Sequence, residues 1–206
     1  MERRLRFLLL FLLSAIALVG CESTQQTEAP KETRMEKVGT IVLELYPDKA
    51  PKTVEQITRL IREGFYEGQR VHRVDAGSDQ VTPWVVQWGD PQSKQAAWEH
   101  LPVGTQGSGK QLPFEENDLK MERGALAMAS TGEKVGGDSQ MFLLGAGADQ
   151  DTIAFLQGKY CIFGKAVEGL DIIEKIQRGD VLSMKIVSEE QGKPIRVEMH
   201  ITREVD

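Results

Sequence analysis

Short β-type runs dominate this chain after residue 36, and they limit what it can fold into. Thr40-Ile41-Val42-Leu43-Glu44-Leu45-Tyr46 alternates and is β-branched, as a half-buried strand does. Further apolar runs follow near 70–74, 83–88, 123–129, 140–145 and 161–167, separated by Gly-rich or charged turns. Two last strands, about 183–189 and 195–203, bracket the turn Glu190-Gln191-Gly192-Lys193. Helical spacing occurs in two places. Pro51 opens one helix through about Arg62, with Val54, Ile57, Leu60 and Ile61 on one face and Gly64 ending it. The second fits Leu170 to Ile176. Many short strands with two separated helices point to a closed, mainly β barrel capped at its ends. The pattern does not fix the strand number.

The N-terminus reads differently. Glu2-Arg3-Arg4-Leu5-Arg6 precedes an almost unbroken apolar run from Phe7 to Val19. A basic start and a short apolar core form an export signal, too short for a comfortable membrane span. The run ends in Leu18-Val19-Gly20-Cys21, which resembles the lipobox of bacterial lipoproteins. That resemblance implies cleavage after residue 20, acylation of Cys21 and a membrane anchor through its lipid, each buried methylene contributing about 0.8 kcal/mol. Residues 21–36 are polar, include Pro30 and lack apolar periodicity, so they read as a disordered tether. The folded domain is then 37–206. The expected place is the extracytoplasmic side. Glu22 stands where an inner-membrane retention signal would carry aspartate, which favours the outer membrane in a two-membrane cell.

The chain has two cysteines, so a lipidated Cys21 leaves Cys161 without an intramolecular partner. Cys161 lies in an apolar run and reads as a buried structural thiol. The formal net charge is −6, and loss of the leading arginines makes it more negative. That excludes a nucleic-acid partner, which needs a basic face. His72, His100 and His200 share no metal-ligand spacing. No Gly-x-Ser-x-Gly elbow occurs, and Gly107-Ser108-Gly109-Lys110 lacks the register of a phosphate loop. Glu115-Glu116 and Glu189-Glu190 read as solvated turn charges.

Four segments carry chemistry: Val71-His72-Arg73-Val74, Trp84 through Pro91, Met128-Ala129-Ser130 continuing to Ser139-Gln140-Met141-Phe142, and Phe155 through Gly164. In this order and spacing they resemble the cyclophilin family of peptidyl-prolyl cis/trans isomerases, over about Gly39 to Ile201. The resemblance implies an eight-stranded antiparallel β-barrel with a helix over each mouth. It also implies an activity that needs no nucleophile, metal or cofactor. Rotation about an X–Pro bond is slow because amide resonance raises a barrier of about 18–20 kcal/mol. An apolar seat for the ring, an anchor for the backbone and a donor that weakens resonance suffice to lower it.

By the same resemblance Arg73 is that donor and His72 a structural neighbour on the opposite strand face. Trp84 and Val85 wall the proline pocket, Phe142 floors it, and Phe155, Leu156 and Tyr160 complete it. Gln87 holds substrate backbone, Gln140 forms part of the groove wall that binds substrate, and Ala129 with Ser130 offers backbone to an extended peptide. The chain departs from the family at Val85, Ser130, Met141 and Tyr160. Trp88 replaces a glycine, which places its indole either in the local packing or toward the groove. Val74–Pro83 and Gln92–Val103 are longer than the family's usual connections, and the first is expected as a surface excursion at the groove's edge. The expected partners are proline-containing unfolded or extended polypeptides, bound by a monomer. Two alternatives differ in class: a catalytically weak holdase of the same fold, and a purely structural envelope lipoprotein that the groove residues do not favour.

Overall fold

The structure, a computed structural model, describes residues 34–205. They belong to one compact unit, Thr33–Asp206, and the sheet and both apolar clusters below lie inside it. The expected signal, Cys21 and most of the tether lie outside the described residues. Strand β1 (Arg34–Leu45) begins inside the stretch read as tether, because Arg34, Met35 and Glu36 pair with Val205, Glu204 and Arg203 of the last strand.

The elements follow in order: α1 (Pro51–Arg62), β2 (Gln69–Arg70), β3 (Arg73–Ala76), β4 (Pro83–Trp88), β5 (Ala125–Met128), β6 (Met141–Leu144), α2 (Gln150–Leu156), β7 (Ile162–Glu168), α3 (Leu170–Ile173), β8 (Val181–Ser188) and β9 (Ile195–Val205). All strand pairs are antiparallel, in the order β2-β8-β9-β1-β7-β5-β6-β4-β3. The order starts at β2 and ends at β3, yet only Val71 and His72 separate these two in the chain. Val71 N–H donates to Asp180 O at 2.9 Å on the β8 side, and His72 N–H donates to Gln87 O at 3.1 Å on β4. Residues 69–76 are thus one interrupted strand shared by both edges. The nine strands close as the expected eight-stranded barrel, which leaves no long open edge.

Alternation fills the interior. Ile41, Leu43 and Leu45 of β1 and Val197, Met199 and Ile201 of β9 are fully buried, while Val42 and Glu44 point outward. Val54, Ile57, Leu60 and Ile61 of α1 and Ile173 of α3 join the same cluster. In β5 and β6 every residue is buried, because both faces are covered. Leu126, Met128, Met141 and Leu143 face the interior, while Ala125, Ala127, Phe142 and Leu144 face a second cluster outside it. That second cluster supports the functional groove.

Three α-helices are present among the described residues, one more than expected. The additional α2 starts at the N-cap Asp149, whose side chain accepts from Thr152 N–H at 2.8 Å. The last helix stops at Ile173 rather than Ile176. Trp88 is fully buried in the barrel interior, which resolves the choice between core and groove. Glu115 also departs from expectation. Its carboxylate accepts from Lys52 N–H (3.0 Å), Thr53 N–H (2.8 Å) and Thr53 Oγ (2.7 Å). Ala50, at the N-cap of α1, makes no side-chain cap bond, so a remote loop caps this helix. Glu115→Ala is expected to lower stability by about 1–2 kcal/mol, read as a lower urea midpoint at unchanged m-value.

Candidate active site

Strand β4 sets the geometry of the groove. Val86 and Trp88 point into the barrel, and Val85 and Gln87 point outward. Simple alternation would send Trp84 inward with Val86. A bulge prevents this: Asp75 pairs with Val85, but its neighbour Ala76 pairs with Pro83, so Trp84 has no partner on β3. The unpaired residue turns its indole to the groove side, where it packs on the outer cluster. The longer Val74–Pro83 connection is therefore partly ladder. Its tip is a turn in which Asp79 accepts from Val81 N–H (2.9 Å) and Thr82 N–H (2.8 Å).

The outer cluster opens into a cavity of about 640 Å³. Val85, Phe142 and Leu156 form its buried apolar base, at 2%, 5% and 5% exposure. Tyr160 meets Phe142 edge to face, with centroids 5.6 Å apart and planes at 89°. Phe155 stands open at the rim, 57% exposed, with the Lys159 ammonium 3.6 Å from its ring centroid. Arg73, Gln87, Ala129 and Ser130 supply the polar margin. Ten of the eleven groove residues read from the sequence line this one cavity. Gln140 does not. It lines a neighbouring depression of about 450 Å³, which shares Gln87, Ala129 and Ser130 with the first. Asp151 and Thr152 of α2 were missed, and the Asp149-x-x-Thr152 cap was their only local signal.

Arg73 pairs in register with Gln87, and its NH1 donates to Gln87 Oε1 at 3.2 Å. Gln87 Nε2 donates to Gln140 Oε1 at 2.9 Å, and Gln140 Nε2 donates to Gln106 O at 2.8 Å. The amides therefore all point one way, from the guanidinium to a backbone carbonyl. That carbonyl belongs to a loop held by two carboxylates. Fully buried Asp90 accepts from Gly104 N–H (2.7 Å) and Gln106 N–H (2.9 Å), and Asp138 accepts from Ser108 N–H (2.9 Å) and Gly109 N–H (2.8 Å). The second longer connection, Gln92–Val103, folds as two short 3₁₀ turns ahead of this loop. Its Trp98 is buried beneath the Arg178 guanidinium, 4.5 Å from the ring centroid. Among the lining residues of the 640 Å³ cavity none comes from that stretch.

His72 is 8% exposed, and neither ring nitrogen has a hydrogen-bond partner among the described residues. Burial pushes its pKa down to about 4, with Asp90 opposing and Arg73 and Arg178 adding to the shift. An unfolded histidine titrates near 6.5. The neutral ring is thus favoured on folding, a contribution complete above pH 6.5 and lost as pH falls from there toward 4. Over that window the parent is expected to lose on the order of 3 kcal/mol more stability than His72→Gln, read from urea midpoints at each pH. Cys161 is buried beside Thr53 Oγ at 3.6 Å, and burial raises its thiol pKa, which fits the inert thiol expected.

Known proteins of one family resemble this chain in sequence and in fold. The family model described as cyclophilin type peptidyl-prolyl cis-trans isomerase/CLD matches residues 32–202. A probable peptidyl-prolyl cis-trans isomerase of Brucella suis is 35% identical over 166 residues, covering 78% of this chain and 79% of that one. Peptidyl-prolyl cis-trans isomerase B of Bacillus subtilis is 35% identical over 150 residues, 72% of this chain and 90% of the relative. A crystal structure of a Cryptosporidium parvum cyclophilin-type isomerase shares the fold, with a TM-score of 0.54 at 23% identity over 84% of this chain and 98% of that one. The chain belongs to the cyclophilin-type peptidyl-prolyl cis-trans isomerase family.

Proposed function

We propose that this isomerase, whose substrates are proline-containing polypeptides, acts on unfolded or newly exported chains at the outer side of a membrane to which Cys21 anchors it. The proline ring sits on Val85, Phe142 and Leu156, with Trp84 and Tyr160 at its sides. Ala129 N–H is already bonded to Gln140 O at 3.0 Å, and extended backbone turns the N–H and C=O of successive residues to opposite sides, so an extended substrate pairs with the backbone of Ser130 instead. Arg73 donates to the amide whose resonance must weaken. A guanidinium suits this role because it is always charged and keeps donors in a fixed fork.

One observation carries the reading: an arginine fixed by Gln87 stands at the polar margin of an apolar cavity. The binding energy and the electrostatic donor are thus separate, and only the donor has to act more strongly on the twisted amide than on the planar one. The amide chain behind Arg73 sets its aim. Gln140→Ala frees the Gln87 amide to rotate and is expected to reduce kcat/KM about fivefold, measured by exchange NMR on an X–Pro peptide.

The cellular half of the reading rests on the Leu-Val-Gly-Cys ending of the apolar run. Its test is fractionation of cells labelled with a palmitate analogue. The parent is expected in the membrane fraction with the label, and Cys21→Ser without it. Equal label and equal partition in the two would remove the anchor from the account.

A further inference from the structure

We infer that Asp75 is a positioning residue for Arg73, a role that rests on the reading of Arg73 as the catalytic donor. Residues 73 and 75 stand two apart on β3 and so share a strand face. Arg73 Nε donates to Asp75 Oδ2 at 2.7 Å, and NH2 lies 2.6 Å from the same oxygen. The guanidinium is held on three sides: by this carboxylate, by Gln87 Oε1 at 3.2 Å from NH1, and by the Trp84 ring, 5.4 Å from Cζ to centroid. Asp75 itself is placed by its register opposite Val85, a residue of the cavity base.

Of five guanidinium N–H groups, Nε–H and one on NH2 are turned to Asp75 and one on NH1 to Gln87. Two remain on the terminal nitrogens, where a substrate amide can be met. Without Asp75 the side chain keeps one hydrogen bond at NH1 and the face of Trp84, neither of which fixes Nε, and can swing about its own long stem. A flexible arginine at a groove margin pays for its alignment with rotamer entropy each time it acts, and a fixed carboxylate removes that cost. The bland rival is an ordinary exposed ion pair. Both side chains are near 45% exposed, and such pairs contribute little to stability. The two readings therefore differ in catalysis and in guanidinium motion, not in folding.

The test compares the parent unit from Thr33 to Asp206 with Asp75→Asn, Asp75→Glu and Arg73→Ala. Exchange NMR on an X–Pro peptide gives kcat and KM, and the Arg73 Nε–Hε resonance reports guanidinium order. Asp75→Asn is expected to lower kcat/KM about tenfold, mostly in kcat, and to broaden the Nε–Hε signal into solvent exchange. Asp75→Glu, which keeps a carboxylate within reach, is expected to restore at least part of both. Unchanged or higher activity in Asp75→Asn, with Arg73→Ala still impaired, overturns the role of Asp75 alone. So does an activity loss with an unaltered Nε–Hε signal, or no rescue by glutamate. Full activity in Arg73→Ala instead overturns the reading of Arg73 beneath it.

Discussion

Replacing Arg73 by alanine is expected to lower kcat/KM for an X–Pro peptide by about 100- to 1000-fold, the range found when one preorganised donor is removed from a reacting centre. The loss should fall on kcat, because the apolar base proposed as the seat of the proline ring stays intact. Stability should hardly change. The Arg73 side chain is 45% exposed and its partners are an exposed carboxylate and an amide at the groove margin, so about 0–1 kcal/mol is at stake. Arg73→Lys should fall between parent and alanine, since an ammonium keeps the charge but lacks the planar fork. Exchange NMR and a urea titration on the same samples separate the two effects.

Phe142→Ala should act on both folding and activity. The ring is 5% exposed, packs in the outer cluster and meets Tyr160 edge to face. Removing it leaves a hole under a groove already open to solvent, at a cost of about 3–5 kcal/mol. Tyr160 loses its partner, and the proposed proline seat loses most of its floor, so KM should rise at least about tenfold. Phe142→Leu, which keeps much of the volume, should recover most of the stability but less of the affinity. A titration with proline peptide followed by tryptophan fluorescence reads the affinity, and the urea midpoint reads the fold.

The strands and α1 were legible because their periods are local. Ile41, Leu43 and Leu45 alternate, and Val54, Ile57, Leu60 and Ile61 repeat at helical spacing. The groove residues were legible through family resemblance, not through period, since β5 and β6 are buried on both faces and show no alternation. What escaped the sequence depends on contacts between distant segments. Helix α2 is seven residues long and presents Phe155 to solvent, too short and too mixed to announce a face. Glu115 looks like a turn charge until α1, more than sixty positions earlier, is brought beneath it. The bulge that turns Trp84 outward follows from register between β3 and β4, which no single strand encodes. Trp88 lost its apparent ambiguity for the same reason: the strand face that carries Val86 carries it inward.

Two-dimensional exchange NMR of an X–Pro peptide mixed with the isotope-labelled unit from Thr33 to Asp206 tests catalysis by this groove most directly. The format needs no coupling protease, so a holdase that merely shields the peptide cannot mimic catalysis. The expected result is accelerated cis/trans exchange, with shifts concentrated at the Trp84 indole, the Gln87 amide and the Arg73 Nε–Hε group. A folded protein that binds the peptide at these positions without accelerating exchange would contradict the account and leave a binding module of the same fold.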